Sequence, residues 1–226
     1  MKIIDDALRE GRFILSEYES KQILAAYSLP VAQEQLVGNP EDLLKAADRI
    51  GYPVVIKGCT ADIAHKTEKG LIRVDVRNKE EATAAFREIS TAMNGAAGGA
   101  SVLVQQLVKG KRELVVGLIR DPQFGPCVMF GLGGIFTEIL KDTAFRVAPL
   151  EKQDALDMMQ EIKACKILES IRGMAAADRD MLADILIAVG RIGMENESIK
   201  EIDINPIILS GGKPVAVDAL VVLQDT

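Results

Sequence analysis

The sequence has no tryptophan, three tyrosines, three cysteines and one histidine, and aromatic residues make up only 4% of its 226 positions. It has no basic run and no basic patch interleaved with aromatics. The 27 Lys plus Arg are outnumbered by 33 Asp plus Glu, for a net charge of -6, so a nucleic-acid partner is not expected. Any anionic ligand must instead be held by local cations and backbone amides. Cys59, Cys127 and Cys165 are odd in number and scattered, which excludes a disulfide framework and a CxxC metal site and predicts buried thiols. The longest apolar runs, such as Ile204 to Leu209 with Asn205 and Pro206 inside it, fall far short of the roughly 20 residues of a spanning helix. No membrane association is expected. The start Met1-Lys2-Ile3-Ile4-Asp5-Asp6 lacks the apolar core of a secretory signal, so the chain is read as cytoplasmic.

What is present suits packed lobes: 48% hydrophobic and 27% charged residues give enough material for sizeable cores and exclude disorder. Ser16-Glu17-Tyr18-Glu19 reads as a capping box opening a helix that ends near Tyr27, before Pro30. A strand is expected over Val31 to Val37. Asn39-Pro40 supplies a cap and a first-turn proline for a second helix that Gly51 closes. Pro53 to Lys57 and Leu71 to Val76 read as strands, and Asn78 caps a helix reaching about Met93. A Gly/Ala connector, Asn94 to Ala100, precedes strand patterns at Val102 to Leu107, Leu114 to Arg120, Pro126 to Phe130 and Phe136 to Val147. Their short connections predict a largely antiparallel sheet. Helices return at Lys152 to Lys163 and Asp178 to Ile192, and strands at Lys200 to Leu209 and Pro214 to Val222 finish the chain. The expected architecture is two α+β lobes, about 15–107 and 108–226.

Several residues could carry chemistry. Lys57 ends an apolar strand, where a cation is costly unless it meets an anion. It is either a phosphate ligand or a lysine snorkelling out of the strand end. The polar segment Ala61 to Gly70 contains His65, the only histidine. An imidazole near its ordinary pKa is largely neutral at cytoplasmic pH and can attack phosphorus, with Lys66 or Lys69 offsetting the arriving charge. A solvated surface histidine is the plain alternative. Gly131-Leu132-Gly133-Gly134 does not fit GxGxxG, and a strand rather than a helix follows it. A turn between strands or a close approach to phosphate both remain open. Asp203, Asn205 and Asp218 lie on apolar strands, with Asp203 and Asn205 on one face, and could converge on Mg²⁺ through oxygen ligands. Gln106 and Leu107 close a strand that becomes a linker, where backbone groups can meet an adenine edge.

In order along the chain, Leu15-Ser16-Glu17-Tyr18-Glu19-Ser20-Lys21, Tyr52-Pro53-Val54-Val55-Ile56-Lys57, Asp62-Ile63-Ala64-His65-Lys66 and Arg120-Asp121-Pro122-Gln123-Phe124-Gly125-Pro126 resemble one family. So do Met129 to Phe136, Phe145 to Leu150, Asp203-Ile204-Asn205-Pro206 and Ala216-Val217-Asp218-Ala219-Leu220. The family is the ADP-forming acetyl-CoA synthetases, and within it the ATP-grasp or beta subunit, over about Leu15 to Leu223. The resemblance implies an ATP-grasp fold whose two α+β lobes enclose the nucleotide, and a reversible conversion of acyl-CoA, ADP and phosphate to acid, CoA and ATP. By position it implies Lys57 on the nucleotide phosphates, Gln106 and Leu107 at the adenine, and Glu113 lining the nucleotide site. It further implies Asn205 and Asp218 on Mg²⁺ and His65 as the phosphohistidine that passes its phosphoryl group to ADP. It implies a CoA-binding alpha subunit, in an α2β2 arrangement. A stand-alone ATP-grasp carboxylate ligase and a non-catalytic nucleotide-sensing module are the competing readings.

Overall fold

The computed structural model describes residues 1–59, 70–93, 101–134 and 142–225. The segment bearing His65, the Gly/Ala connector and residues 135–141 lie outside the described residues. The chain divides into two compact units: 16–18 with 32–107, and 1–15 with 19–31 and 108–226.

The smaller unit is a four-stranded antiparallel sheet in the order β1 (Glu34–Val37), β4 (Ser101–Gln106), β2 (Val54–Cys59), β3 (Ile72–Val76). Two helices cover one face, α3 (Pro40–Ile50) and α4 (Lys79–Ala92). Each starts at an asparagine whose side chain accepts a backbone N–H three residues on, Asn39 from Asp42 and Asn78 from Glu81, both at 2.9 Å. These bonds satisfy donors that the first helical turn would otherwise leave unpaired. Leu43, Ala47, Ala82, Phe86 and Ile89 then pack on Val54, Ile56, Val102 and Val104 to form the core. Alternation sends Val55, Lys57, Leu103 and Gln105 to the opposite face, where all four are also buried.

The larger unit holds a six-stranded antiparallel sheet in the order β10 (Leu220–Leu223), β8 (Ile199–Ser210), β5 (Glu113–Asp121), β6 (Gly125–Leu132), β7 (Thr143–Val147), with β9 (Lys213–Ala216) also on β8. Leu114, Val116, Leu118, Val128, Phe130 and Ile204 point toward α5 (Lys152–Glu161) and α6 (Arg179–Glu195). Gly190 and Gly193 bring α6 close, since a Cβ at Gly193 would stand 2.5 Å from Leu118. Two arginines pin backbone by filling carbonyl acceptors. Arg120 donates to the carbonyls of Gly193, Asn196 and Ile199 at 2.6, 3.0 and 2.9 Å, and Arg112 to those of Ile167, Glu169 and Ala175.

Three expectations change. The first lobe is expected from residue 15, but residues 19–31 belong to the larger unit. Ser20 of α2 (Glu17–Ala26) accepts from Val221 N at 3.1 Å, and Ala216 N donates to Pro30 at 2.8 Å. Pro214 to Val222 is not one strand but β9 and β10, parted by Val217 to Ala219. A helix α1, Lys2–Arg9, also opens the chain, with Ile4 and Ala7 buried against the core of the larger unit. Of the three cysteines only Cys59 is buried; Cys127 and Cys165 are half-buried.

Candidate functional site

In the smaller unit the prominent group is Lys57. It does not snorkel from a strand end: it sits within β2, opposite Leu103 on one side and Ile72 on the other, and is 4% exposed. Its Nζ lies 2.7 Å from Oε1 of Glu17, and both side chains are almost fully buried. Taking two charges out of water costs several kcal/mol per ion, which pairing repays only in part, so such a pair is a weak stabiliser. It does hold an ammonium at a fixed place in a low-dielectric setting, where a charge acts strongly on an arriving anion. At the far end of β4, Gln106 is exposed; its N–H donates to the Gln33 carbonyl at 2.8 Å and its Oε1 accepts from Gln33 N at 3.5 Å. Leu107 follows, half-buried, just before the chain enters the larger unit.

In the larger unit the sheet face turned away from α5 and α6 carries the polar groups. Glu113 opens β5, exposed, and its carbonyl accepts from Gly133 N at 2.9 Å. The Gly131 to Gly134 run is explained by close backbone approach. A Cβ at Gly131 would be 2.7 Å from the Asp142 carbonyl, one at Gly133 2.7 Å from the Leu114 carbonyl, and one at Gly134 2.4 Å from Oε2 of Glu113. Gly134 has φ +65°, and its N–H points to Oδ1 of Asn205 at 3.4 Å, a long hydrogen bond. The glycines therefore bring Glu113 and Asn205 to the same end of the sheet.

Asp203 and Asn205 share that face of β8 with Glu201. A cavity of about 230 Å³ lies there, lined by Gly117, Met129, Glu201, Asp203 and Asn205 among others. Asp218 reaches the same level through a break in pairing. The chain leaves register at Ala216 opposite Ile207 and re-enters at Leu220 opposite Asp203, so Val217 to Ala219 runs beside Ile204 to Pro206. Val217 N donates to the Pro206 carbonyl at 3.2 Å. Burial, followed by the charges of Glu201 and Asp218, pushes the Asp203 carboxyl up to about 6. Crowded acidic oxygens of this kind attract a cation. Among the described residues no three His, Cys, Asp or Glu side chains form a ready-made metal cage. A carboxylate and a carboxamide oxygen instead suit Mg²⁺, which keeps waters and phosphate oxygens among its ligands. Glu17 and Glu201 escaped the sequence reading. The first resembled a helix-cap residue, and the second stands two positions before Asp203, a spacing that places both on one face of β8.

A family model described as the ATP-grasp domain matches residues 6–223. The chain is 45% identical over 225 residues to the beta subunit of acetate–CoA ligase [ADP-forming] I of Pyrococcus furiosus, covering 98% of this chain and 97% of that one. It is 37% identical to acetate–CoA ligase [ADP-forming] I of Archaeoglobus fulgidus, matching 99% of this chain but 33% of that longer one. Among solved structures it resembles acetyl-coenzyme A synthetase 1 of Ca. Korarchaeum cryptofilum in complex with coenzyme A and Mg-AMPPCP, with the phosphohistidine segment pointing towards the nucleotide binding site. That match has a TM-score of 0.88, 41% identity and 99% coverage of both chains.

Proposed function

We propose, from the premise that this chain belongs to the ATP-grasp family and within it to the beta subunits of ADP-forming acetate–CoA ligases, that it is the nucleotide-binding subunit of an enzyme converting acyl-CoA, ADP and phosphate reversibly to acid, CoA and ATP. The observation that carries this reading is the end-to-end correspondence with a named beta subunit, 98% of one chain on 97% of the other. Pairing with a CoA-binding alpha subunit is supported by the beta-subunit name of the Pyrococcus relative; the Archaeoglobus relative is about three times as long as the part matched here. We place the two subunits in an α2β2 assembly in the cytoplasm.

His65, the only histidine of the chain, would accept the phosphoryl group and give it to ADP: its N–P bond breaks as an O–P bond forms on the terminal ADP oxygen. Loose phosphoryl-transfer transition states leave the protein chiefly the tasks of positioning and of neutralising charge. Lys57, fixed by Glu17, supports the second task by meeting the nucleotide phosphates. Gln106 and Leu107 meet the adenine, and Glu113 lines the nucleotide site. Asn205 and Asp218 would hold Mg²⁺, which supplies further neutralisation of the phosphate charge.

The test is ATP formation from acetyl-CoA, ADP and phosphate by this chain mixed with the alpha subunit. The reading predicts turnover only with both subunits, abolished by His65→Ala. Turnover by this chain alone, with an acid and an amine in place of CoA, would replace the reading with that of a carboxylate ligase.

A further inference from the structure

We infer that Ser20 and Lys21 are positioning residues for Asp218, an inference that rests on the reading of Asn205 and Asp218 as the metal ligands. The segment Val217 to Ala219 has left the β-ladder, because β9 ends at Ala216 and β10 begins at Leu220. Apart from the bond that Val217 N donates to the Pro206 carbonyl, the backbone that carries Asp218 stands outside the paired registers of β9 and β10. Helix α2 supplies fixation from the side, on both flanks of the break. Lys21, fully buried, directs its Nζ to the Val217 carbonyl at 3.5 Å, one peptide before Asp218. Ser20, also fully buried, accepts from Val221 N at 3.1 Å, three residues after it.

Two adjacent polar side chains at 0% exposure on a helix flanked by Ile23 and Leu24, which are equally buried, are costly unless their bonds matter. The Lys21 bond to Val217 and the Ser20 bond to Val221 lie on either side of Asp218. Groups that orient a metal ligand typically change affinity by about 10–100-fold when removed, so the two residues would act on the metal without touching it.

The experiment uses the full chain with ADP and Mn²⁺ as a paramagnetic stand-in for Mg²⁺, reading Mn²⁺ affinity by relaxation enhancement in wild type, Lys21→Met, Ser20→Ala and Asp218→Ala. ADP affinity in chelator and the metal-free thermal midpoint are read alongside. The expected result is Mn²⁺ binding weakened about tenfold or more in Lys21→Met and less in Ser20→Ala, with metal-free ADP binding retained. A purely structural role would lower the thermal midpoint and leave Mn²⁺ affinity below the transition unchanged. If Lys21→Met does not fold, Ser20→Ala decides alone. Wild-type Mn²⁺ affinity in both variants, with Asp218→Ala weakened, overturns the positioning role. Wild-type affinity in Asp218→Ala overturns the ligand reading itself.

Discussion

The sheet of the smaller unit carries, on the face away from its helices, one ammonium: Lys57 among Val55, Leu103 and Gln105, tied to Glu17. The equivalent face of the larger sheet carries Glu201, Asp203 and Asn205, with Asp218 close enough to influence Asp203. Both faces lie opposite ordinary apolar cores, so neither polar set is needed to make its sheet pack. What each unit offers chemically therefore differs: one a buried cation of the kind that suits phosphate, the other hard oxygens of the kind that suit a divalent ion. Phosphoryl transfer requires both kinds of charge control.

That contrast can be broken from either side. The largest effect is expected from Glu17→Ala, which removes the buried carboxylate 2.7 Å from Lys57 and should destabilise the smaller unit by about 3–5 kcal/mol, read by denaturant unfolding. Phe130→Ala removes a fully buried side chain from β6. It should cost about 3–5 kcal/mol in the larger unit, a loss from packing against which the charge effect of Glu17 can be compared. Lys57→Met keeps the volume and removes the charge; it should lower kcat/KM for ADP by roughly 100-fold or more, and it should also lower stability, read by denaturant unfolding, because buried Glu17 loses the ammonium 2.7 Å away. Asn78→Ala and Asp178→Ala remove one helix cap in each unit, Asp178 accepting from Met181 N at 3.0 Å, and each should cost about 1 kcal/mol. The smallest change is expected at Phe124, 64% exposed at the β5–β6 turn, where alanine should shift stability by less than about 0.5 kcal/mol.

Much of this was legible because local chemistry and fold agree. Asn39-Pro40 and Asn78 announce α3 and α4 and act as the caps their positions suggest. The motif Arg120 to Pro126 marks a turn that the structure explains fully: Oδ1 of Asp121 accepts from Gln123 N and Phe124 N at 2.8 and 2.9 Å, Gly125 takes φ +76°, and Arg120 locks the neighbouring carbonyls. Less visible was anything set by distant partners. The break at Val217 to Ala219 lies in a run of apolar residues whose pattern reads as one strand, and only the pairing of β8 with two successive strands reveals it. Glu17 looks like a helix-start residue until Lys57, 40 positions later, is placed beside it. Residues 19–31 read as part of the first lobe because chain proximity is all a sequence offers. Their hydrogen bonds to residues 216 and 221 assign them to the other unit.

In the proposed function His65 carries the phosphoryl group. Labelled ATP with Mg²⁺ should leave acid-labile, base-stable phosphate on the wild-type chain and none on His65→Ala, in the presence of the alpha subunit. Equal labelling of the two, or no label on wild type even with the partner present, would contradict the account and remove His65 from the reaction.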